Sequence, residues 1–447
     1  MTDKKTYFFL GIGGIGMSAL ARYCFLKGLR VGGYDATASD ITKELSSLGI
    51  FVTYTDSQEG VPALFLDPNE VQLVYTPAVP EHSQLFSYFK TSGFSMQKRA
   101  AMLGDITRDS FSFAVGGTHG KTTTSTMLAH LLDHAGMGIS AFLGGISNNF
   151  NSNLWLKDAA VSVIEADEFD RSFLHLSPNM ACITGTDADH LDIYETKAAL
   201  EAAFVDFSKL LKTGGTLFVH ESVDSKISGI RYGLSKQSDY RLENITYKNA
   251  QAIANVHTPN EVLKEVVFPM PGTHNMLNAL VAYAMAEQYG VPSTKLLEGL
   301  KTFKGVKRRM SFEIHTPDQF YVDDYAHHPT AITALYETLQ SLYPNQDISV
   351  VFQPHLYSRT RDFMTEFAQS LSLFSRVYLL PIYPARELPI AGVSSEVLLA
   401  KIASPKKCLV TLDTVVETLR KDQPKHLLTL GAGDIGLKVN KIKKVLL

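Results

Sequence analysis

Short apolar runs alternate with segments of helical period along most of the chain. Four runs short enough to be buried strands are Val161–Ile164, Ala181–Thr184, Ile348–Phe352 and Val377–Leu380. This alternation is typical of parallel sheets whose strands are joined by crossover helices. The pattern therefore predicts an α/β fold. It also predicts a strand at Phe312–Val322, where a new apolar run begins.

Glycine-rich turns follow three further apolar runs. A glycine turn between a strand and a helix is a common binding site for phosphate groups. Three such turns in one chain predict three α/β domains. The strand and its turn are Tyr7–Leu10 with Gly11–Gly16 in the first unit, Phe111–Val115 with Gly116–Thr124 in the second, and His426–Leu430 with Gly431–Gly436 in the third.

Domain boundaries are expected where the chain passes from one unit to the next. One boundary is predicted near Gly104–Asp109 and the other near Lys304–Arg309. The predicted domains are therefore residues 1–106, 107–309 and 310–447. We expect the first and last domains to be Rossmann-like and the central domain to be of the P-loop ATPase type.

The amino-acid composition limits which binding partners and which cellular compartment are expected for this chain. The 447 residues are 45% hydrophobic and 19% charged, with a formal net charge of −3 and no long basic run, so we expect no nucleic-acid partner. The start of the chain lacks a signal-peptide pattern, and no apolar run reaches membrane-spanning length. We therefore expect a cytoplasmic protein without membrane insertion. The distant Cys24, Cys182 and Cys408 form no metal or disulfide pattern and are expected to be free thiols.

The most specific local motif is GTHGKT at Gly117–Thr122. Backbone N–H groups of such a turn bind anions, Lys121 adds a positive charge for phosphates, and the Thr122 hydroxyl can ligate Mg²⁺. The usual pattern has a glycine six residues before the lysine, and Val115 stands there instead. A chance glycine-rich turn is the alternative, but the preceding strand and the following helix favour nucleotide binding.

Acidic residues follow the next two predicted strands. Glu165 is the first residue of the run EADEFD, and His190 lies in the run TDADHLD. Because ligands of open α/β sheets gather at the carboxyl ends of strands, these side chains could hold a hard cation beside the phosphate turn. The alternatives are a polar turn for the first run and an exposed histidine for the second. Two acidic strand ends near one phosphate turn favour a metal site, with Glu165 as its main ligand.

Three later motifs supply weaker signals. Asn275 and Asn278 share a helix face from which amides could contact adenine, although a capped helix start is the favoured explanation without other evidence. The run Tyr321–Pro329 ends a strand with two acids, a tyrosine and two histidines, and its proline suits the first turn of a helix. Arg359 and Arg361 could hold a substrate carboxylate or form surface ion pairs.

The first glycine turn, GIGGIG, has two interpretations. It opens a helix after a strand, and Asp35 lies where an acidic partner of a ribose is expected, which suits a dinucleotide. The same turn serves any diphosphate, including that of a uridine sugar nucleotide. The last turn, GAGDIG, is explained by close packing of helix and strand without a ligand.

Together and in this order, the motifs resemble the Mur ligase family over essentially the whole chain. Their joint order is highly specific, even where single segments are not. The segments that carry the resemblance are GIGGIGMSALA, TPAVPEHSQL, KRAAML, GGTHGKTTT, EADEFDRSFLHL, DADHLDIY, GTHNMLNALVA, GVKRRM, VDDYAHHPT, QPHLYSRTRD and GAGDIG.

The resemblance implies an ATP-dependent carboxylate–amine ligase with three domains. It is closest to the alanine-adding branch, whose members join L-alanine to the lactyl carboxylate of UDP-N-acetylmuramate through an acyl phosphate. That reaction is the first peptide step of peptidoglycan precursor synthesis. The first domain is then expected to bind the UDP-sugar, the central domain ATP with Mg²⁺ or Mn²⁺, and the C-terminal domain to close with the amino acid. A monomer or a weak homodimer is expected.

The resemblance also implies four groups of site residues. For the UDP-sugar these are Gly11, Gly13, Gly14, Ile15, Gly16, Asp35, Thr76, Arg99 and His119. For ATP they are Gly117, Thr118, Gly120, Lys121, Thr122, Thr123, His274, Asn275, Asn278, Arg309 and Asp324. For the amino acid they are Tyr325, His327 and Arg359, and for the metal ion Thr122, Glu165 and His190. The residues implied to carry the chemistry are Lys121, Glu165, His190, Arg359 and, as a candidate base, His327.

Two departures from the family pattern bear on specificity. Alanine-adding members often have an arginine where this chain has Leu356, so recognition of the alanine carboxylate is expected to fall mainly on Arg359. Other branches carry a carbamylated lysine after the DADH-like motif. The stretch Ala199–Val205 of this chain contains no lysine, which fits the alanine-adding branch.

Three other functions remain open on the sequence. A murein tripeptide recycling ligase acts on the same UDP-sugar, although QPH followed by YSRTR favours alanine addition. An NAD-dependent oxidoreductase explains GIGGIG and Asp35 but gives the phosphate turn and the acidic runs no role. A non-catalytic, nucleotide-gated binding protein needs only the phosphate turn.

Overall fold

Three β-sheets organise the chain in the computed structural model, which describes residues 5–80, 82–157, 160–187, 191–248, 251–385 and 387–447. These residues fall into two compact units. The first unit holds the first sheet and most of the second, and the second unit holds the third sheet. The first unit runs to Ile245 and also contains Ala254–Pro269 and Leu277–Lys304, and the second contains Thr246–Ile253, Met270–Met276 and Gly305–Leu447.

The first sheet has five parallel strands in the order β3-β2-β1-β4-β5. Successive residues of β1 pack into different cores, Tyr7 and Phe9 into one and Phe8 and Leu10 into the other, because a strand presents alternate side chains to opposite faces. Both faces of this sheet are therefore buried. Its strands are β1 (Thr6–Leu10), β2 (Arg30–Tyr34), β3 (Phe51–Thr53), β4 (Val71–Tyr75) and β5 (Ser95–Lys98), and its helices are α1 (Ile15–Leu26), α2 (Asp40–Ser47), α3 (Gln84–Thr91) and α4 (Arg99–Thr107), with 3₁₀ turns at Gln58–Gly60 and Ala63–Phe65.

The second sheet has ten strands in the order β15-β14-β13-β12-β11-β10-β6-β9-β7-β8. Strand β6 lies between two parallel neighbours, β10 and β9, so its carboxyl end is surrounded by other strand ends. The strands are β6 (Phe111–Gly116), β7 (Ser140–Ser147), β8 (Ser152–Leu156), β9 (Val161–Glu165), β10 (Met180–Ile183), β11 (Thr216–His220), β12 (Ile230–Gly233), β13 (Tyr240–Lys248), β14 (Gln251–His257) and β15 (Val262–Phe268). The helices are α5 (Lys121–His134), α6 (Leu191–Tyr194), α7 (Lys197–Ser208), α8 (Thr273–Gln288) and α9 (Ser293–Thr302), with a 3₁₀ segment at Phe169–His175.

The third sheet has six strands in the order β16-β17-β21-β18-β19-β20. Its strands are parallel apart from the antiparallel pair β16 and β17. The strands are β16 (Ser311–His315), β17 (Phe320–Asp324), β18 (Ser349–Phe352), β19 (Arg376–Leu379), β20 (Lys406–Leu409) and β21 (His426–Leu430). The helices are α10 (Pro329–Leu342), α11 (Tyr357–Asp362), α12 (Met364–Leu371), α13 (Ser395–Lys401), α14 (Val415–Asp422) and α15 (Val439–Leu446), with a 3₁₀ turn at Asp434–Lys438.

The prediction of one continuous strand at Phe312–Val322 was wrong. The structure has two antiparallel strands there, and the chain reverses where the Thr316 N–H donates to the Gln319 carbonyl at 2.9 Å. The physical reason is Pro317, which lacks a backbone N–H and pre-sets a turn conformation between the two apolar runs.

The predicted fold class is confirmed, because the chain has a three-domain α/β architecture built on largely parallel sheets. The four apolar runs named first lie, to within a residue, in β9, β10, β18 and β19. The domain boundaries at residues 106 and 309 stay predictions. Among the described residues, no helix combines the length and the apolar character needed to cross a bilayer.

Candidate active site

The phosphate loop, defined here as Gly116–Thr122, joins β6 to α5. Gly117 and Gly120 have left-handed φ angles of 124° and 80°. A Cβ atom at Gly117 would overlap Thr184, and one at Gly120 would overlap the Asn278 side chain. Both positions therefore require glycine for conformation and for space. The loop leads into the N-terminus of a 14-residue helix, an arrangement that favours anions.

Lys121 is held inside the loop by two acceptors. Its Nζ donates to the Gly117 carbonyl at 2.7 Å and to Glu168 Oε1 at 2.8 Å. Burial lowers the pKa of Lys121, but the nearby carboxylates, Glu168 first among them, outweigh burial and leave the pKa raised. The ammonium is therefore charged and directed along the loop, where phosphate oxygens need a donor.

Thr122 and Glu165, two of the three predicted metal ligands, lie in direct contact. The Thr122 hydroxyl donates to Glu165 Oε1 at 3.0 Å, and the Gly144 N–H donates to Glu165 Oε2 at 2.9 Å. His190, the third predicted ligand, lies outside the described residues, and within them no group of three His, Cys, Asp or Glu side chains is placed to hold a metal ion. A hydroxyl and a carboxylate still fit Mg²⁺, which commonly takes one or two protein oxygens and completes its shell with phosphate and water.

The other loop residues predicted for the ligands have protein partners. The Thr118 hydroxyl accepts from the Asp187 N–H at 3.1 Å, and His119 Nε2 lies 3.8 Å from Asp187 Oδ2. Thr123 is buried in the first turn of α5. Asn278, in α8, lies against Gly120 and so belongs to the loop environment, and its role in ATP binding stays a prediction.

A single acidic segment, Glu165–Asp170, contacts both the phosphate loop and the first domain. Glu165 and Glu168 contact the loop as described above. Asp167 and Asp170 contact basic residues at the end of β5 and the start of α4: Arg99 Nη2 lies 3.6 Å from Asp167 Oδ2, and Lys98 Nζ lies 2.9 Å from Asp170 Oδ2. The four acids thus alternate between two sets of partners, which links the two predicted binding sites within one unit.

A cavity of about 730 Å³ lies at the glycine turn of the first domain. Its wall includes the acidic segment residues Glu165, Asp167 and Asp170, as well as Lys98. His119 is not among the described residues that line it. The residues predicted for the UDP-sugar that do line it are Gly11, Gly13, Gly14, Ile15, Gly16, Asp35, Thr76 and Arg99.

Asp35 has a role in the structure that the dinucleotide interpretation did not predict. Its Oδ2 accepts from the Gly13 N–H at 2.8 Å, and its Oδ1 accepts from the Thr37 N–H at 3.2 Å. The carboxylate therefore shapes the glycine turn from within the cavity wall. The turn still opens α1, a 12-residue helix with no acidic residue in its first turn, so a diphosphate is a suitable ligand.

In the second unit, Tyr325 lies beneath two arginines. The guanidinium carbons of Arg308 and Arg309 lie 5.3 and 5.1 Å from the centre of its ring. Asp324 is buried and accepts from the Met310 N–H at 2.6 Å and the Ala326 N–H at 2.7 Å. Burial raises the pKa of Asp324, and Arg309 and the two N–H groups act in the opposite direction. Asp324 thus connects the backbone that follows Tyr325 to Met310, the residue after the two arginines.

The residues predicted for the amino acid form a row of rings that ends at a buried arginine. His327 Nδ1 donates to the Tyr325 carbonyl at 2.9 Å, which fixes the orientation of the ring. The rings of His327 and His355 are 6.0 Å apart, and His355 stacks on Tyr383 at 5.6 Å. Arg359 Nη1 lies 3.4 Å from His355 Nδ1, and the residue is 7% exposed.

Arg359 and Arg361, which lie two residues apart in the sequence, have different surroundings. The side chain of Arg361 is 55% exposed and pairs with the neighbouring Asp362 at 2.7 Å, as expected for a surface ion pair. Arg359 is buried, so it is the better candidate for a substrate carboxylate.

The predicted ATP residues His274 and Asn275 lie at the start of α8, where Asn275 Nδ2 donates to the Pro271 carbonyl at 2.8 Å.

Several residues at these sites were not singled out from the sequence. Glu168 and Lys98 lay inside quoted motifs, but only the folded chain shows which charge each one faces. Gly144 was detectable as part of a Gly-Gly pair in a strand, a sign of close approach. His355 and Tyr383 are separated by 28 positions and meet through an isolated parallel bridge, which no local pattern indicates.

Comparison with known proteins covers almost the entire chain. Family models match as the Mur ligase family catalytic domain at residues 6–111, the Mur ligase middle domain at 115–286 and the Mur ligase glutamate ligase domain at 308–434. A UDP-N-acetylmuramate–L-alanine ligase of Flavobacterium psychrophilum is 48% identical over 98% of this chain and 97% of its own length.

Solved structures share the architecture. A UDP-N-acetylmuramate–alanine ligase of Thermotoga maritima superposes with a TM-score of 0.84 at 29% identity, covering 98% of each chain. A murein peptide ligase of Psychrobacter arcticus gives a TM-score of 0.75 at 23% identity over 99% of this chain and 98% of its own, a likeness of fold alone. The motif order, the site geometry, the three family models and the close relative agree: this chain belongs to the Mur ligase family.

Proposed function

We propose that this chain uses ATP to join L-alanine to the lactyl carboxylate of UDP-N-acetylmuramate, the first peptide step in building a peptidoglycan precursor. One observation carries the proposal. Glu165 both accepts from the Thr122 hydroxyl at the phosphate loop and lines the 730 Å³ cavity of the first domain. A triphosphate bound at the loop and an acidic sugar nucleotide bound in the cavity would therefore both lie next to Glu165.

The first step is transfer of the γ-phosphoryl group of ATP to the carboxylate, which gives an acyl phosphate and releases ADP. A carboxylate oxygen is a poor leaving group, and phosphorylation converts it into a good one. The obstacle is repulsion between two anions, which Lys121 reduces by donating to the phosphates from inside the loop. Arg99 and the Gly11–Gly16 turn hold the diphosphate of the sugar nucleotide on the cavity side.

Thr122 and Glu165 are the residues that would hold Mg²⁺ or Mn²⁺. Their oxygen atoms suit a hard cation, and His190 is the third proposed ligand. The bound ion would supply charge neutralisation for the phosphates during transfer.

The second step is attack of the alanine amine on the acyl phosphate, which gives the amide and inorganic phosphate. Arg359 is assigned to the alanine carboxylate, because its buried guanidinium offers paired donors. His327 is the candidate base, because its Nδ1–H is fixed on the Tyr325 carbonyl and its Nε2 can accept a proton. Tyr325 is assigned to the same subsite.

The relatives favour alanine over a preformed peptide as the second substrate. Curated relatives that are 42–48% identical over almost all of this chain are named UDP-N-acetylmuramate–L-alanine ligases. The murein peptide ligase neighbour supports the fold only. Family membership also argues against the oxidoreductase and the non-catalytic binding protein, since neither uses the phosphate loop together with the acidic segment.

The proposal is tested by phosphate release with UDP-N-acetylmuramate and ATP. Alanine, glycine, serine and the murein tripeptide are supplied one at a time. Release that depends on alanine is expected, with a product of the mass of UDP-N-acetylmuramoyl-alanine. Release with the tripeptide and not with alanine would assign the recycling reaction instead.

A cytoplasmic location and a monomeric or weakly dimeric state complete the proposal. The cytoplasmic location follows because the reaction needs ATP as a substrate. Cell fractionation tests the location, and light scattering over a range of protein concentrations tests the oligomeric state.

A further inference from the structure

Glu168 is a fully buried carboxylate that the reaction described above does not use. The residue is 0% exposed, and its carboxylate lies 2.8 Å from Lys121 Nζ. A buried charge is costly unless it is paired and hydrogen-bonded. Each member of the pair therefore lowers the cost of burying the other.

The backbone of Glu168 is fixed independently of Lys121. The Tyr194 hydroxyl donates to the Glu168 carbonyl at 2.6 Å, and the Arg171 N–H donates to the same oxygen at 2.9 Å. Tyr194 is itself buried at 3% exposure. The backbone that carries the carboxylate is therefore held by contacts that do not involve Lys121.

We propose that Glu168 is a positioning residue for Lys121, a resident counter-ion that takes the place of nucleotide phosphates while the loop is empty. The inference rests on the proposed function, since it assumes that ATP binds at the phosphate loop. An ammonium has three N–H donors, and Glu168 and the Gly117 carbonyl accept from Lys121 in this structure. Arriving phosphates must share those donors with Glu168.

Two consequences follow for a Glu168→Gln variant. The glutamine keeps the size and one acceptor of the side chain but not the charge, so the ammonium of the nucleotide-free protein loses its ion-pair partner and keeps the Gly117 carbonyl and the weaker attraction of Asp167 and Glu165. Bound phosphates then offset the cost of burying the ammonium, which Glu168 already offsets in wild type. AMP-PNP with Mg²⁺ is therefore expected to bind the variant about tenfold more tightly. The lysine is no longer fixed for phosphoryl transfer, so kcat is expected to fall about tenfold while KM for ATP also falls.

The experiment measures AMP-PNP affinity by calorimetry and the steady-state constants for ATP in wild type, in Glu168→Gln and in a control. The control is Asp206→Asn, which removes an acid paired with Lys209 at 2.9 Å on the surface. Exposed pairs contribute little, so the control is expected to match wild type. A simple structural defect at Glu168 would instead weaken AMP-PNP binding and raise KM.

The results separate the inference from the function on which it rests. If wild type does not bind AMP-PNP, the proposed function fails. If wild type binds it and Glu168→Gln binds equally or less tightly, the function stands and the inference is overturned. If Glu168→Gln does not fold, the double variant Glu168→Gln/Lys121→Met decides the question. Recovery of the fold would show that the defect came from the buried ammonium that had lost its ion pair. A double variant that also does not fold would overturn the inference.

Discussion

Lys121 brings a positive charge into a loop whose glycine positions are too tightly packed for a side chain. Its ammonium donates to the Gly117 carbonyl, and a Cβ atom at Gly117 or Gly120 would overlap Thr184 or Asn278. Lys121 is the basic residue of this loop that we assign to the phosphates. Its loss should remove a donor to the phosphates and also cost stability, because Glu168 loses its ion pair, whereas the cavity residues are unchanged.

Lys121→Ala is expected to lower the rate of ADP formation by at least about 10²-fold, because a preorganised donor to the transferring phosphoryl group is lost. The measurement is ADP release under saturating substrates. Binding of UDP-N-acetylmuramate should stay close to wild type, because the cavity residues are unchanged. Normal turnover in this variant would refute the assignment of the loop.

Arg359→Ala is expected to raise KM for alanine by about 10²-fold while KM for ATP changes little, because a charge-assisted hydrogen bond to the carboxylate is lost. Steady-state kinetics with each substrate varied in turn measure this. Arg361→Ala is the matched control, since Arg361 pairs with Asp362 at the surface. An unchanged KM for alanine in Arg359→Ala would contradict the role.

At the scale of elements, the 3₁₀ segment Phe169–His175 anchors the acidic segment in the core. Phe173 is 1% exposed and stacks on Phe207 at 4.9 Å, with Phe204 edge-on at 5.4 Å. The Phe173 N–H also donates to the Asp167 carbonyl at 2.9 Å. The packing of one aromatic ring thus supports the placement of the acids that precede it.

Phe173→Ala is expected to destabilise the first unit by about 3–5 kcal/mol, the usual cost of removing a buried aromatic ring. Chemical denaturation followed by tryptophan fluorescence is suitable, since the single Trp155 lies in β8 of that unit. Leu437→Ala is the control, because Leu437 is 69% exposed and its loss should change stability by less than about 0.5 kcal/mol. Equal stability of the two variants would contradict the anchoring role.

The elements were predictable from the sequence where the signal is local. The strand, glycine turn and helix around Lys121 are adjacent in the chain, so periodicity and turn residues indicated them together. The partners of the four acids were not predictable in the same way. Their directions depend on Asp170 and Arg171, which adopt left-handed φ angles of 52° and 54° without being glycine. Tertiary contacts determine such a conformation, so the periodicity of apolar residues in the sequence does not indicate it.

At the scale of the whole molecule, the chain divides into two compact units, and the large cavity belongs entirely to the first. The residues assigned to alanine belong to the second. A ligand stabilises the part of a protein that binds it. Multidomain chains also commonly depart from two-state unfolding.

Calorimetric unfolding is therefore expected to show more than one transition, and UDP-N-acetylmuramate alone should raise the midpoint of the transition that belongs to the first unit. The Phe173→Ala variant identifies that transition, because it should lower the same midpoint. Differential scanning calorimetry with and without the sugar nucleotide provides the measurement. A single transition that the ligand shifts as a whole would contradict independent unfolding of the units.

The alternation of partners along the acidic segment has a consequence for how this region can change. Glu165 and Glu168 face the phosphate loop, whereas Asp167 and Asp170 face Arg99 and Lys98, so function depends on the count of residues between them. One inserted residue after Asp167 would leave Glu165 and Asp167 in place but would shift Glu168 and Asp170 relative to Lys121 and Lys98. A single substitution here removes one contact, whereas such an insertion disrupts two at once, so the length of this stretch is more constrained than the identity of any one of its side chains.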